Sequence, residues 1–560
     1  MTNSDLVERL EDALSLMELL EHNSFKINAF RSLIQQIEKL PAQLQTMEKP
    51  ERDALFTKTM TVNIETLLAT GTFAELTEME NQVPKGVRDL FLINGIGPKK
   101  IKTLWKEAGI ESVQTLKEAC LLGQVAMLKG FGEKIQETIL SGIAFLEEIS
   151  GKMLMHKGLA LGQKIMEELR KVGISGCELV GDLVVASEVV SGIGFLLPQD
   201  QFSKVETWLH GHSEFQVELE KSSPWKLKSV YLETQTPLQF YFAGSDDFDR
   251  QRYLLNSTPG HWKAARQAGI SLYPNWLKWK GNDEAGLYEL LKKPVVPVDI
   301  RVGSWEWSEG AEEKLKNLIR YEDLKGCIHN HSRYSDGKNT IREMAEWCMA
   351  QGWSYFGIAD HSKSAHYAQG MWEEKVLLQW KEVDALNQEI APFRVFKGIE
   401  SDILADGSLD YEADILKGFD YVVASVHSGL KMDEPTATQR LIRAIENPYT
   451  TILGHCSGRI LLRRPGYPLN YTKIVDACIA NHVAIEINAH PSRLDMDWPH
   501  LAAALDKGAF IAINPDAHER EGMDMMRFGT FMARKAGAVN AQVINSFGQE
   551  EIAAFFSKKK

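Results

Sequence analysis

Nine residues in the last 240 positions are of types that bind divalent metal ions, and they recur at one kind of place. His329 and His331 close the run GCIHNH, and Asp336 follows in YSDG. His361 follows SYFGIAD, Glu400 ends RVFKGIE, His427 ends YVVASVH, His455 ends TILGH, and Asp516 and His518 close FIAINPDAH. A lone histidine at the end of an apolar stretch is ordinarily a hydrogen-bonded structural residue. A His-x-His with seven further donors at successive stretch ends calls for another explanation. Imidazole mixed with carboxylate suits zinc, manganese or iron, whereas oxygen-only sets suit magnesium or calcium. Ions clustered a few ångströms apart polarise a phosphoryl oxygen, stabilise a leaving oxygen and lower the pKa of bound water to roughly 7. The chemistry indicated is hydrolysis of a phosphate ester. The other histidines (His22, His156, His210, His212, His261, His366, His482, His490 and His500) show no such pattern and read as ordinary. His366 alone, in the loop after His361, is close enough in sequence to line the cleft.

The elements that must position these donors are short apolar strands. From residue 321 onward GCIHNH, SYFGIADH, RVFKGIES, YVVASVHS, TILGHCS, VAIEINAH and FIAINPDAH alternate with helical segments. Repeated strand–helix units predict a parallel α/β barrel. The C-terminal ends of its strands converge on one rim, where sites are built. Cationic side chains beside the motifs are candidates for phosphate contact: Lys363, Arg459, Arg463, Arg464 and Arg493. Arg459 and Arg493 lead because each directly follows a motif, and arginine grips phosphate bidentately. Arg459 joins His329, His331, Glu400 and Asp516 as a catalytic candidate.

The front of the chain has a different character. Residues 1–80 read as amphipathic helices, with Leu6, Leu10, Leu14 and Met17 at helical spacing, as are Phe30, Leu33, Ile34 and Ile37. Pro41 and Pro50 punctuate them. Residues 81–150 hold two similar helix–turn–helix units, FLINGIGPKKIKTLW and AMLKGFGEKIQETIL. Glycines permit a tight turn, and its N–H groups together with the following helix N-terminus attract a phosphate. Gly95, Gly97, Lys99, Lys100 and Lys102 form the first candidate DNA contact, and Gly130, Gly132 and Lys134 the second. The pair resembles helix-hairpin-helix motifs, which hold the DNA backbone without reading sequence. Residues 151–315 mix short strands (GDLVVASEVV, GIGFLLP, LQFYFAG) with helices. Pro294, Pro297 and the turn near Gly303 read as a linker to the last domain, 321–560.

The motifs HNHSRYSDG, ADHS, GIESDIL, SVHSG, GHCSGR, EINAHPSRLD and NPDAH resemble those of the PHP (polymerase and histidinol phosphatase) domain. The version fused to bacterial family X DNA polymerases is the most similar. That resemblance implies a distorted seven-stranded α/β barrel with a trinuclear manganese or zinc site. It implies that His329, His331, Glu400 and Asp516 serve one metal, Glu400, His427 and His455 a second, and Asp336, His361 and His518 a third. EHNSFKINAFRSL resembles the first helical domain of the same family, although the hairpin position near 56–60 lacks its glycines.

The polymerase motif itself departs from the family. Its pattern is Gly-Ser-x-Arg-Arg, then Asp-x-Asp, then a third Asp. In VGDLVVASEVVSGIGFLL the matching positions are Gly181-Asp182, Val184 and Val185, then Gly192 and Gly194. The third carboxylate falls at Tyr231. Glycine offers no side-chain ligand, so two-metal nucleotidyl transfer is not expected. Asp182 and Glu188 read as surface charges. The fold class expected is therefore a multidomain α/β chain. It comprises a helical helix-hairpin-helix region, a degenerate α+β palm and thumb, and a PHP-type barrel.

Composition agrees with a folded chain: 44% hydrophobic, 25% charged and a formal net charge of -13. That charge excludes an all-over cationic DNA binder but not a local basic face. Six scattered cysteines argue for a reducing compartment. No apolar run is long enough to span a membrane, and the opening segment is too acidic and polar for a signal peptide. The expectation is a cytoplasmic, monomeric, metal-dependent phosphoesterase (manganese or zinc, or iron) acting on gapped, nicked or 3′-ended DNA. It would serve as a 3′-to-5′ exonuclease or a 3′-end phosphatase in repair. The alternatives are an active gap-filling polymerase, a small-molecule phosphatase of the histidinol-phosphate type, and a non-catalytic scaffold.

Overall fold

A computed structural model describes residues 3–558 except 39, 41–43, 94 and 282. Pro41, and Asn94 of the first hairpin, lie outside the described residues. The chain divides into two compact units, Met1–Ser150 and Gly151–Lys560.

The first unit is helical, and one core runs through it from Leu6 to Ile143. Of the apolar positions predicted on the first two helices, Leu6, Leu10, Met17, Phe30, Leu33, Ile34 and Ile37 bury, and Leu14 is half-buried. Pro50 marks a helix boundary. It occupies the first turn of helix Lys49–Leu55, where its missing N–H costs no hydrogen bond.

The second unit opens on a mixed sheet. Its strands are β1 (Glu178–Val180), β2 (Ile193–Pro198), β3 (Phe215–Val217), β4 (Lys226–Tyr231) and β5 (Thr236–Ala243), in the order β1-β2-β5-β4-β3. The strand expected over GDLVVASEVV does not form. Gly181 takes a left-handed φ of 82° and starts a single 3-10 turn, and only Val189–Val190 is extended, paired with Met153–Leu154. Short helices from Phe248 to Leu291 follow, packed on an aromatic core of Tyr253, Trp279, Tyr288, Trp305 and Trp307. The segment read as a linker is part of that core. Its prolines and Gly303 supply turns, but Ile300 between them and Trp305 and Trp307 just after are apolar and bury, and Arg301 pairs with Glu284.

The last seven strands are β6 (Gly326–Cys327), β7 (Tyr355–Ile358), β8 (Arg394–Asp402), β9 (Tyr421–Ser425), β10 (Ile452–Leu453), β11 (Ala484–Asn488) and β12 (Ile511–Asn514). They pair in sequence order, all parallel. A parallel bridge from Asn330 to Ala517 joins first to last, and Ile328 N donates to Asn514 Oδ1 (3.3 Å), so the sheet nearly closes into a barrel. Nearly every strand residue is buried, as expected when both faces are covered. Aromatic rings fill the barrel opposite the site. Tyr421 lies across Gly357 and Gly398, where a Cβ would collide with its ring or hydroxyl, and Phe556 stacks on it 4.8 Å away. Only the rim at the strand C-termini is left for chemistry.

Candidate metal centre

The rim gathers all nine predicted donors into one network. Glu400, at the end of β8, lies at its middle. Its Oε1 is 3.0 Å from His455 Nε2, 3.2 Å from His427 Nε2 and 3.3 Å from His329 Nε2. Its Oε2 is 3.0 Å from His361 Nδ1 and 3.7 Å from His331 Nε2. Asp516 Oδ1 lies 2.9 Å from His331 Nε2 and 3.6 Å from His329 Nε2. Asp336 Oδ2 lies 3.3 Å from His518 Nε2 and 3.7 Å from His361 Nε2. Three subsets place one donor atom each within 4.8 Å of the others: His331, Asp336, His361 and His518; His329, His331 and Asp516; and His361, Glu400 and His427. These overlap the sets implied by resemblance but differ from them: His331 also joins the Asp336 group, Glu400 is not in the His329 group, and His361 stands with Glu400 and His427 where His455 was expected.

The donors suit a metal better than they suit one another. His329 Nε2, His331 Nδ1, His361 Nδ1, His455 Nδ1 and Glu400 Oε2 are buried with no hydrogen-bond partner among the described residues. Buried polar atoms are ordinarily paired, so such a cluster marks a place prepared for another partner. Nitrogen and carboxylate donors together match manganese, zinc or iron.

Electrostatics follow from the crowding. Burial opposes protonation of His329, but the carboxylates of Glu486, Glu400 and Asp516 outweigh it and raise its pKa well above the ordinary value. Against the same burial, Glu400 and Asp402 raise His427 to about 10, and Asp336 raises His518 to about 9. Burial together with the neighbouring His518 and His361 lowers His331 to about 4. Burial likewise works against ionisation of Glu400 and Asp516, yet the surrounding imidazoles hold both well below the usual carboxylate range.

Sequence reasoning missed the residues that orient these ligands. His329 Nδ1 donates to Glu486 Oε2 (2.7 Å), and Asn514 Nδ2 donates to the same oxygen (3.0 Å). His427 Nδ1 donates to Asp402, two residues after Glu400. Asn488 Nδ2 donates to Asp516 Oδ2 (2.9 Å). Asp360 ties down the loop after β6 through Ser332 and Ser335. An acid inside an otherwise apolar strand, as Glu486 is in VAIEIN, was the available signal. Tyr367, 69% exposed, also stands at the mouth, its ring 6.0 Å from His361 and 6.3 Å from His427.

The cationic candidates separate. Arg493 reaches the cluster, its Nε 3.9 Å from Asp516 Oδ2. The guanidinium of Arg459 is taken up by Arg493 O (2.9 Å), Leu494 O and Glu188 Oε1 (2.6 Å). Glu188 is therefore not a surface charge. Lys363 pairs with Glu373 (2.7 Å), and Arg464 donates to Gly458 O. His366 is exposed, and its neighbour Tyr367 occupies the mouth. Two histidines read as ordinary are not. His490 is lowered to about 4 by burial, with Asp516 and Arg493 among its neighbours. His156 holds a buried Nδ1 with no hydrogen-bond partner among the described residues.

Both hairpins form in the helical unit. Gly95 and Gly130 take left-handed φ of 95° and 83°. Gly97 and Gly132 cap helices Pro98–Lys106 and Glu133–Ile149, and a Cβ on either would meet nothing within 4 Å. Lys99 and Lys134 are exposed beside them, while Lys102 pairs with Glu21 (2.6 Å). Lys100 lines a cleft of ≈ 660 Å³ with Lys99 and Arg31. Near 56–60, Thr57 starts a helix with ordinary φ, and no glycine turn forms.

In the middle sheet Gly192 and Gly194 sit at the start of β2. A Cβ at Gly192 would lie 2.7 Å from Pro237 O, and one at Gly194 would lie 2.8 Å from Val180 O. Tyr231, at the end of β4, is buried and hydrogen-bonded to Glu233 and Lys164. Asp182 is exposed, and its Oδ2 lies 3.5 Å from Ser191 N.

The described residues contain no helix long and apolar enough to cross a membrane. Residues 328–490 match the PHP domain, and residues 87–144 match the SAM-like helix-hairpin-helix tandem. Relatives over part of the chain include proteins called "Probable phosphatase". That of Vibrio atlanticus (strain LGP32) is 26% identical over 41% of this chain and 93% of its own. That of Shewanella sediminis (strain HAW-EB3) is 25% identical over 40% and 88%. "DNA polymerase/3'-5' exonuclease PolX" of Bacillus subtilis (strain 168) is 31% identical over 573 aligned positions, covering 100% of both chains. That alignment runs through the helical unit, the mixed sheet and the seven-stranded barrel of this chain, and the chain belongs to the PolX family of bacterial family X DNA polymerases that carry a C-terminal PHP domain.

Proposed function

We propose that this chain hydrolyses phosphate esters at 3′ ends of DNA through the barrel rim, as an exonuclease or end-processing phosphatase, and that it does not polymerise. The carrying observation is the single network of nine donors around Glu400, with five of their buried polar atoms unpartnered. His329, His331, Glu400 and Asp516, then His427 and His455, then Asp336, His361 and His518 would hold divalent ions. Manganese and zinc fit best, and iron also suits the donors. Such ions, when bound, polarise a phosphoryl oxygen and acidify water.

The protein's own groups do the rest. Arg493, directed at Asp516 and half-buried, is placed to take a phosphate oxygen. Exposed Tyr367 offers a face on which a terminal base can stack. Glu486 and Asp402 hold two imidazoles in one tautomer, so that Nε2 of each stays turned to the cluster. The two hairpins hold the DNA backbone.

His331→Ala or Asp516→Ala should abolish release of nucleotides or phosphate from a 3′-ended oligonucleotide while DNA binding persists. Equal loss of binding would contradict the division of labour. Relatives called phosphatases match over about two-fifths of the chain, which favours testing a second substrate. Faster turnover of histidinol phosphate than of a 3′-phosphorylated oligonucleotide would replace the DNA reading with a small-molecule one.

A further inference from the structure

The loop between β1 and β2 carries the eroded nucleotidyl-transfer pattern, and it is bound to the barrel. Lys535, buried on a barrel helix, donates Nζ to Ala186 O (2.6 Å). Glu188 accepts from Arg459 Nη2 (2.6 Å), with the two side chains only 20% and 15% exposed. A guanidinium so enclosed needs a close counter-charge, since a buried charge left unpaired is costly. The buried Asp495, and Asp497 3.8 Å away, also attract Arg459, but among the described carboxylates Glu188 is the one that accepts a hydrogen bond from it.

Arg459 also donates to two successive carbonyls. Nε donates to Arg493 O (2.9 Å), and Nη2 to Leu494 O. These carbonyls belong to the turn after β11 that carries Arg493, whose Nε reaches 3.9 Å from Asp516 Oδ2. A planar guanidinium fixed by a carboxylate on one side holds such a turn in one orientation.

We propose that Glu188 is a positioning residue for the barrel's hydrolytic site. It fixes Arg459, Arg459 fixes the 493–494 turn, and the turn presents Arg493 to a substrate phosphate. The segment that matches the polymerase motif would then serve the hydrolase. The inference rests on the reading of Arg493 as a phosphate ligand.

Full-length Glu188→Gln, Glu188→Asp, Arg493→Ala and the Glu188→Gln/Arg493→Ala double variant separate the two claims. The readouts are KM and kcat on a 3′-phosphorylated oligonucleotide, and the dissociation constant of inorganic phosphate by calorimetry. Glu188→Gln should raise KM and the phosphate dissociation constant about tenfold with kcat changed far less. Glu188→Asp should recover most of the loss, and Glu188→Gln should add nothing in the Arg493→Ala background. A lowered melting temperature with unchanged KM would mark a merely structural ion pair and overturn the proposal, as would effects that multiply in the double variant. If Arg493→Ala itself leaves KM and phosphate affinity unchanged, the phosphate-ligand reading falls and the relay with it, whereas the metal centre stands.

Discussion

Glu486 Oε2 lies 2.7 Å from His329 Nδ1, and both side chains are fully buried. The carboxylate keeps the proton on Nδ1 and turns Nε2 toward Glu400 and Asp516. Partners of this kind fix ring orientation and raise ligand basicity, and losing one lowers metal affinity or activity about 10- to 100-fold. Glu486→Gln should therefore weaken metal binding and hydrolysis by that factor while the protein stays folded, as metal titration beside circular dichroism would read. Unchanged metal affinity would show that Glu486 is only a core hydrogen-bond partner.

Stability of the metal-free protein should fall as pH rises. His427 and His518 are raised from 6.5 to about 10 and about 9 in the folded state. A folded pKa above the unfolded one gives stability that is complete below the unfolded value and is lost as pH climbs through the folded value. Metal must displace these protons, so its affinity should increase over the same interval. Glu400 and Asp516, both lowered, act oppositely: their contribution is present above the ordinary carboxylate range and is lost on acidification. Melting curves from about pH 6 to about pH 10 should show metal-free protein destabilised at the alkaline end and metal-loaded protein protected. A metal-free melting temperature that rises with pH would contradict these charge states.

Much of this site is legible in the sequence, because each barrel strand is a short apolar run that ends in a donor. His329, Glu400 and Asp516 can be found that way without knowing what pairs with what. Glu486 is signalled only as an acid inside an apolar strand, which does not name its partner 157 residues away. The 181–190 loop misleads for a related reason. Its valines favour a strand, but a left-handed Gly181 turns the chain, and hydrogen bonds from Lys535 and Arg459 hold it. Local propensity yields to such distant partners.

Charge reversal at the hairpins should separate binding from chemistry. Lys99→Glu with Lys134→Glu should weaken duplex binding, and the slope of log affinity against log salt should shrink by about 0.9 for each phosphate that is no longer neutralised. Turnover of a small phosphodiester should not change. Lys102→Glu should do less, because Lys102 already pairs with Glu21. Unaltered DNA affinity in the double variant would remove the hairpins from the interface.

Primer extension should fail with either magnesium or manganese. Gly192→Asp with Gly194→Asp should not restore it, because the new Cβ atoms would press on Pro237 O and Val180 O at 2.7 and 2.8 Å. The double variant should instead melt at a lower temperature. Incorporation of nucleotides by the natural chain would show that other carboxylates serve polymerisation.

Whether the rim around Glu400 is a metal-dependent phosphoesterase is tested most directly by stripping the full-length protein with a chelator. Hydrolysis of a 3′-ended oligonucleotide is then followed during manganese titration. Turnover should be absent at first and saturate near about three equivalents, with no response in Asp516→Ala. Full turnover by the stripped protein, or an equal metal response in the variant, would contradict it.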